Sequence, residues 1–132
     1  MTIIEVIKNK KQFLSLLLLA DEQENMIDRY LERGTMYVLN DNGVKAECVV
    51  TDECNGILEI KNIATVPEYQ GKGYAKALID FIVKEYADKY SVLQVGTGDS
   101  PLTVPFYEKC GFVRSHIIPN FFTDNYDHPI FE

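Results

Sequence analysis

The chain has 132 residues, 46% of them apolar and 25% charged, and carries a net charge of −7. That length suits one compact domain, residues 1–132, because a second core would have nowhere to form, and the composition argues against a disordered tail or a fibrous repeat. The acidic balance argues against nucleic acid and anionic membrane surfaces as partners, since phosphate binding depends on clustered Lys and Arg, and a cationic partner fits better.

Thr2 to Ile7 alternates β-branched residues and predicts a strand. Lys11 to Asp21 and Glu24 to Arg33 predict two helices, the second closed by Gly34. Phe13 to Ala20 is the longest apolar run, far short of the roughly 20 residues that cross a bilayer, and reads as a buried helix face. Lys8, Lys10 and Lys11 before it mimic a secretory signal, but the acidic Asp21-Glu22-Gln23-Glu24 does not resemble a cleavage site, so a cytoplasmic start is expected. Three scattered cysteines, Cys48, Cys54 and Cys110, lack metal-ligand spacing and suit a reducing compartment. Neither a disulfide nor a metal site is expected.

Thr35 to Leu39 and Lys45 to Thr51 form a hairpin around Asn40-Asp41-Asn42-Gly43, whose Asn-Gly pair accepts positive φ. A second turn at Asn55-Gly56 leads into Ile57 to Val66, the longest strand candidate. From Gly71 to Tyr90 the positions Tyr74, Leu78, Phe81, Ile82 and Tyr86 recur at three and four, the stripe of an amphipathic helix. Ser91 to Val95 returns as a strand, parallel to Ile57 to Val66 because a helix separates them. Pro101 to Lys109 predicts a short helix stopped by Cys110-Gly111, and Phe112 to Ile118 a further strand. The expected fold is a mixed, mainly antiparallel α/β (α+β) sheet of six to seven strands flanked by helices.

Glycines at a helix start let the backbone pass close to a ligand, and the first-turn amides with the positive dipole end make an anion site. Gln70-Gly71-Lys72-Gly73-Tyr74-Ala75 stands at such a start. Lys72 adds a mobile charge, and a pyrophosphate would fit; the plain alternative is that Gly71 and Gly73 only cap a turn. The segment has neither Walker nor dinucleotide-fold spacing.

Here the chain resembles the GCN5-related N-acetyltransferase superfamily, whose acetyl-coenzyme A loop reads Gln/Arg-x-x-Gly-x-Gly/Ala, matched by Gln70, Gly73 and Ala75. A second family block ends in Tyr-x-x-x-Gly-Phe, matched by Tyr107, Gly111 and Phe112. Gly96 to Ser100, Leu16 to Asp21 and Phe121-Phe122 further resemble small bacterial members of unassigned substrate.

The resemblance implies that strands four and five splay apart and that acetyl-coenzyme A is the cosubstrate, with no metal. It implies that Gly71, Lys72, Gly73, Tyr74 and Ala75 hold the pyrophosphate on their amides while Gln70 orders the turn. Ile63-Ala64-Thr65 pairs with the pantetheine arm and aims an amide at the thioester oxygen. Tyr107 matches the tyrosine that protonates the departing thiolate, against the plain alternative of an aromatic core residue. Glu59, eleven residues before Gln70, matches the general base of histone-acetylating members; with Lys61 two residues on, it also fits a solvated pair. Seven residues before Tyr107, where many members carry an asparagine that contacts the cofactor, stands Ser100.

These residues predict transfer of an acetyl group to a primary amine of a small molecule or protein in a ternary complex. A non-catalytic acyl-coenzyme A sensor is the alternative, against which an acid and a base speak. His116 and His128 fall on no motif. The polar, Pro129-interrupted end leaves Ile130-Phe131-Glu132 at most a strand stub, and the bare edge of the preceding strand, with Phe121 and Phe122, suggests a homodimer.

Overall fold

A computed structural model describes residues 1–95 and the backbone of two short strands beyond them, Val113–Arg114 and Ile130–Phe131. A strand, β1 (Thr2–Val6), leads through a 3-10 turn at Lys10–Phe13 into α1 (Leu14–Ala20) and α2 (Glu24–Asp28). Three strands follow, β2 (Thr35–Asn40), β3 (Val44–Asp52) and β4 (Ile57–Thr65). A 3-10 turn at Pro67–Tyr69 precedes α3 (Tyr74–Tyr86), β5 (Val92–Val95) and the two-residue β6 (Val113–Arg114) and β7 (Ile130–Phe131).

The sheet runs β1-β2-β3-β4-β5 and is mixed: β1 and β2 pair antiparallel, as do β2 and β3, whereas β4 and β5 run parallel, Ile57 opposite Val92 through Ile60 opposite Val95. Among the described residues the main sheet has five strands, and β6 and β7 pair with each other in parallel. Ile130–Phe131 is thus the short stub that its polar, proline-broken approach allows. The helix expected at Pro101 to Lys109 and most of the strand at Phe112 to Ile118 lie outside the described residues.

By contact density the chain divides into two units, Met1–Thr51 with Lys61–Leu78, and Asp52–Ile60 with Ile79–Glu132. The first holds a core in which Leu17, Ile27 and Leu31 meet Val6, Met36, Val38 and Val49 from the strands. Period-2 alternation and register explain the choice, since Val6 lies opposite Met36 and Met36 opposite Val49, all on one face. Each such aliphatic side chain contributes roughly 1.5–3 kcal/mol when fully buried.

The second expected helix stops at Asp28, short of Arg33. Its bonds tighten from i−4 to i−3, Arg29 N–H donating to the Met26 carbonyl at 3.1 Å and Tyr30 N–H to the Ile27 carbonyl at 3.1 Å. The following turn needs Gly34 because of space: an added Cβ would stand 2.9 Å from the Tyr30 carbonyl oxygen and 2.9 Å from Val49 Cγ1. The third helix likewise ends at Tyr86, and Tyr90 N–H closes a turn onto the Tyr86 carbonyl at 3.1 Å. Within it Leu78, Ile79 and Ile82 are fully buried, while Tyr74, Phe81 and Tyr86 are half-buried.

In the second unit the turn before β4 turns through left-handed backbone at Cys54, Asn55 and Gly56. The Gly56 carbonyl accepts the amides of Ser91 at 2.7 Å and Val92 at 3.0 Å, which starts the parallel ladder.

One residue breaks the apolar phase of β3. Glu47 lies opposite Val38, on the face that meets α1 and α2, is fully buried, and neither carboxylate oxygen has a hydrogen-bond partner. Burial holds its pKa well above the ordinary carboxylate range and, with the Glu47 charge, pushes the buried Cys48 thiol up as well. Because the folded pKa exceeds the unfolded one, the fold binds the proton more tightly, so this contribution to stability is fully present below about pH 4.3 and is lost as pH rises through the folded value. Glu47→Met should therefore be more stable than the natural chain at pH 8, by about 1–3 kcal/mol, with a smaller difference at pH 5. Urea unfolding at both pH values checks this, and a less stable variant at pH 8 would contradict it.

Candidate active site

The connection from β4 to α3 is built from local rules. Val66 N–H donates to the Lys45 carbonyl at 2.8 Å and holds the end of β4 to β3. Pro67 opens the 3-10 turn, closed by Tyr69 N–H on the Val66 carbonyl at 2.9 Å. The Gln70 side-chain amide then donates back to the Thr65 carbonyl at 3.4 Å. Gly71 and Gly73 adopt φ of +81° and +87°, left-handed values that disfavour other residues, and a Cβ added at either would meet nothing within 4 Å. Backbone conformation rather than crowding demands glycine here, and the space beside the loop is open.

The first helical bond of α3 runs from Ala77 N–H to the Gly73 carbonyl at 3.0 Å. The amides of Tyr74 and Ala75 precede it and have no carbonyl within their own helix, so a 13-residue helix turns its positive end to this loop. Lys72 is exposed in the loop, and Ala75 is half-buried at the helix mouth.

Side chains from the hairpin turn between β2 and β3 brace the loop. Tyr74 donates its hydroxyl to Asp41 Oδ2 at 2.7 Å, and that bond, with Asp41's negative charge, raises the phenol pKa. Lys45 Nζ lies 4.0 Å from the centroid of the Tyr69 ring and donates to the Asn42 carbonyl at 3.2 Å.

Among the described residues the pairing of β4 with β5 runs from Ile57 opposite Val92 to Ile60 opposite Val95, and Ile63, Ala64 and Thr65 end β4 beyond it. Glu59 stands in the second unit, half-buried, and accepts a hydrogen bond from Gln94 Nε2 at 2.7 Å, its register partner on β5. Ser100, Tyr107, Cys110, Gly111, Phe112, His116 and His128 lie outside the described residues.

The structure adds polar groups that sequence patterns left unmarked. Gln94 needed the parallel register, and Asp41 needed the fold that sets its turn beside Tyr74. Asn62, buried on β4, donates to the Leu17 carbonyl and to the Tyr30 hydroxyl oxygen, both at 3.0 Å, and Tyr30 in turn donates to Asp21 Oδ2 at 3.3 Å. Burial leads the causes that push the Tyr30 phenol up to about 12, with the negative charges of Asp21 and Glu47 adding to it. Glu47 had one legible signal: it shares its strand phase with Val49.

A mixed sheet whose parallel β4–β5 pair is joined by a helix opening on a glycine loop has at that helix start the geometry that suits an anionic ligand. The sequence profile described as the acetyltransferase (GNAT) domain matches residues 32–114. YvbK of Bacillus subtilis (strain 168), an N-acetyltransferase otherwise uncharacterised, is 36% identical over 124 residues, covering 92% of this chain and 80% of the relative. A GNAT family acetyltransferase from Elizabethkingia anophelis, solved with acetyl-CoA bound, superposes with a TM-score of 0.80 at 34% identity, over 99% of this chain and 88% of the other. An IAA acetyltransferase from Bacillus cereus ATCC 14579 gives 0.74 at 36% identity, over 83% and 76%. The chain belongs to the GNAT acetyltransferase family and is an N-acetyltransferase by class.

The Asp41–Tyr74 contact predicts a titration shift. Asp41→Asn removes the carboxylate that favours the protonated phenol, so Tyr74 should ionise at lower pH than in the natural chain. NMR of ring-labelled tyrosine against pH checks this, and an unmoved Tyr74 titration would show that the hydroxyl is not held by Asp41.

Proposed function

We propose that the chain takes its acetyl group from acetyl-coenzyme A and transfers it to a primary amine of a small molecule or protein, by direct attack in a ternary complex. The observation that carries this is the start of α3, where two left-handed glycines leave open space just before Tyr74 and Ala75, whose amides have no carbonyl within their own helix. Backbone N–H groups of Gly71 to Ala75 hold the pyrophosphate, Gln70 keeps the turn closed through its bond to the Thr65 carbonyl, and Lys72 adds charge. The stretch Ile63-Ala64-Thr65 lies along the pantetheine arm and offers an amide to the thioester oxygen as charge builds there.

Tyr107 protonates the leaving thiolate, with Ser100 as a polar contact nearby, and Glu59 takes the proton of the attacking amine, both by their match to the family motifs. The bond from Gln94 supports the second role by fixing one oxygen of Glu59. We read residues 1–132 as one N-acetyltransferase domain, supported by β4 and α3, which each contribute to both units. The cytoplasm is its proposed location, on the unpaired Cys48 and Cys54 among the described residues; among these no helix is long and apolar enough to cross a membrane. A homodimer through the C-terminal segment completes the proposal, and a monomeric mass by light scattering at micromolar concentration overturns that part.

Calorimetry separates loop backbone from lysine charge. Gly73→Val, which forces a β-branched residue into φ near +87°, should weaken coenzyme A binding at least about tenfold with the fold retained, whereas Lys72→Ala should cost less than about fivefold, the range of an exposed charge. Equal losses would mean that the lysine dominates. Tyr107→Phe should lower turnover about ten- to a thousandfold with acetyl-coenzyme A affinity unchanged, as for a lost general acid. Unaltered turnover would return Tyr107 to a packing role.

A further inference from the structure

The middle of the loop that starts α3 has little around it to hold its shape. Gln70, Gly71, Lys72 and Gly73 are exposed, both glycines sit at left-handed φ, and a Cβ added at either would meet nothing within 4 Å. Glycine crosses between left- and right-handed backbone readily, so this stretch has many conformations open to it, whereas amides aimed together at one anion need a single one.

The β2–β3 hairpin supplies the missing constraint, and supplies it at both ends of residues 66–74. At the entry, the Lys45 carbonyl accepts the Val66 N–H at 2.8 Å, and Lys45 Nζ stands 4.0 Å from the Tyr69 ring centroid. At the exit, Tyr74 donates its hydroxyl to Asp41 Oδ2 at 2.7 Å. The turn that carries these groups is itself fixed: Asp41 N–H donates to the Gly43 carbonyl at 2.9 Å, Gly43 N–H to Asn40 Oδ1 at 2.9 Å and Lys45 Nζ to the Asn42 carbonyl at 3.2 Å. A stiff turn thus grips a pliable loop. Charge alone disfavours a carboxylate so near a proposed pyrophosphate site, and the bond that Asp41 accepts from Tyr74 gives it a use there.

We propose that Asp41 is a positioning residue for the cofactor: through the Tyr74 hydroxyl it fixes the first turn of α3 and, with Lys45, keeps the backbone of Gly71 and Gly73 in the conformation that binds coenzyme A. The role rests on the cofactor site proposed above. Asp41 acts through Tyr74, by lowering the loop entropy that binding must otherwise remove.

Coenzyme A titrated calorimetrically into the full chain and its variants tests this. The φ of Asp41 lies outside the left-handed region, so alanine leaves the turn unstrained. Asp41→Ala and the charge-neutral Tyr74→Phe each remove the bond and should raise the coenzyme A Kd about three- to tenfold, the span of one half-exposed hydrogen bond to a charged group. Asp41→Asn keeps an acceptor for the hydroxyl and should stay within about twofold of the natural chain. The double variant Asp41→Ala/Tyr74→Phe should lose no more than either single one, because both remove the same bond.

Amide relaxation dispersion on the free chain gives a readout that needs no ligand: the Gly71 and Gly73 amides should show microsecond-to-millisecond exchange in Asp41→Ala and Tyr74→Phe and none in the natural chain. A merely structural role would lower Tm and leave these amides and the coenzyme A Kd unmoved. Removal of charge without a clamp has the opposite sign, tighter coenzyme A in both Asp41 variants. That result, unchanged affinity in Asp41→Ala, additive losses in the double variant, or glycine amides as quiet in the variants as in the natural chain would overturn the proposal. Tyr74→Phe, which keeps the ring, carries the same test if Asp41→Ala fails to fold. Glycine exchange induced in a chain that binds no coenzyme A would instead remove the cofactor reading and leave the clamp standing.

Discussion

The parallel pairing of β4 with β5 is the constraint on which the rest of the structure depends. A parallel partner cannot be reached by a tight turn, so the chain must leave the end of β4, cross over through a helix and return. That crossover forces α3 to begin a few residues past Thr65. The amides of Tyr74 and Ala75, which have no carbonyl within their own helix, then follow a strand whose last residues lie, among the described residues, beyond the stretch paired with β5. Two left-handed glycines make the reversal possible, and the bond from Gln70 to the Thr65 carbonyl closes it. Fold and ligand site thus have one cause.

The first unit pairs that device with a polar interior that simple packing would not choose. A face built from Val6, Met36, Val38 and Val49 would be more stable with an apolar side chain at position 47, since an unpaired buried carboxyl is among the costlier groups to bury. Asn62 is the better-integrated member: its two donated bonds tie β4 to Leu17 in α1 and to Tyr30, two residues past the end of α2. A helix pair of seven and five residues has little internal cooperativity, and such polar ties together with the exposed Lys11 pairs to Glu24 and Asp28 help to set its position.

Membership of the GNAT family agrees with this division of labour. The loop at the start of α3 presents backbone groups, which tolerate changes of side chain around them. One family therefore serves many amines, and likeness to a relative passes on the chemistry more readily than the substrate.

The sequence by itself determined the alternation of β1 to β4, both Asn-Gly turns, the crossover between β4 and β5 and the glycine loop, because each rests on local backbone preference or a short period. It also marked Gln70, Gly73, Ala75 and Tyr107 through motif spacing. Only the tertiary structure decided that the second helix stops at Asp28, since the close approach of Gly34 to Val49 comes from β3. The Asp41–Tyr74 bond, the Gln94–Glu59 pair and the Asn62–Tyr30 bond join residues 33, 35 and 32 positions apart. Contacts at that separation depend on register and on which face of a strand is covered, and no window of neighbouring residues contains either.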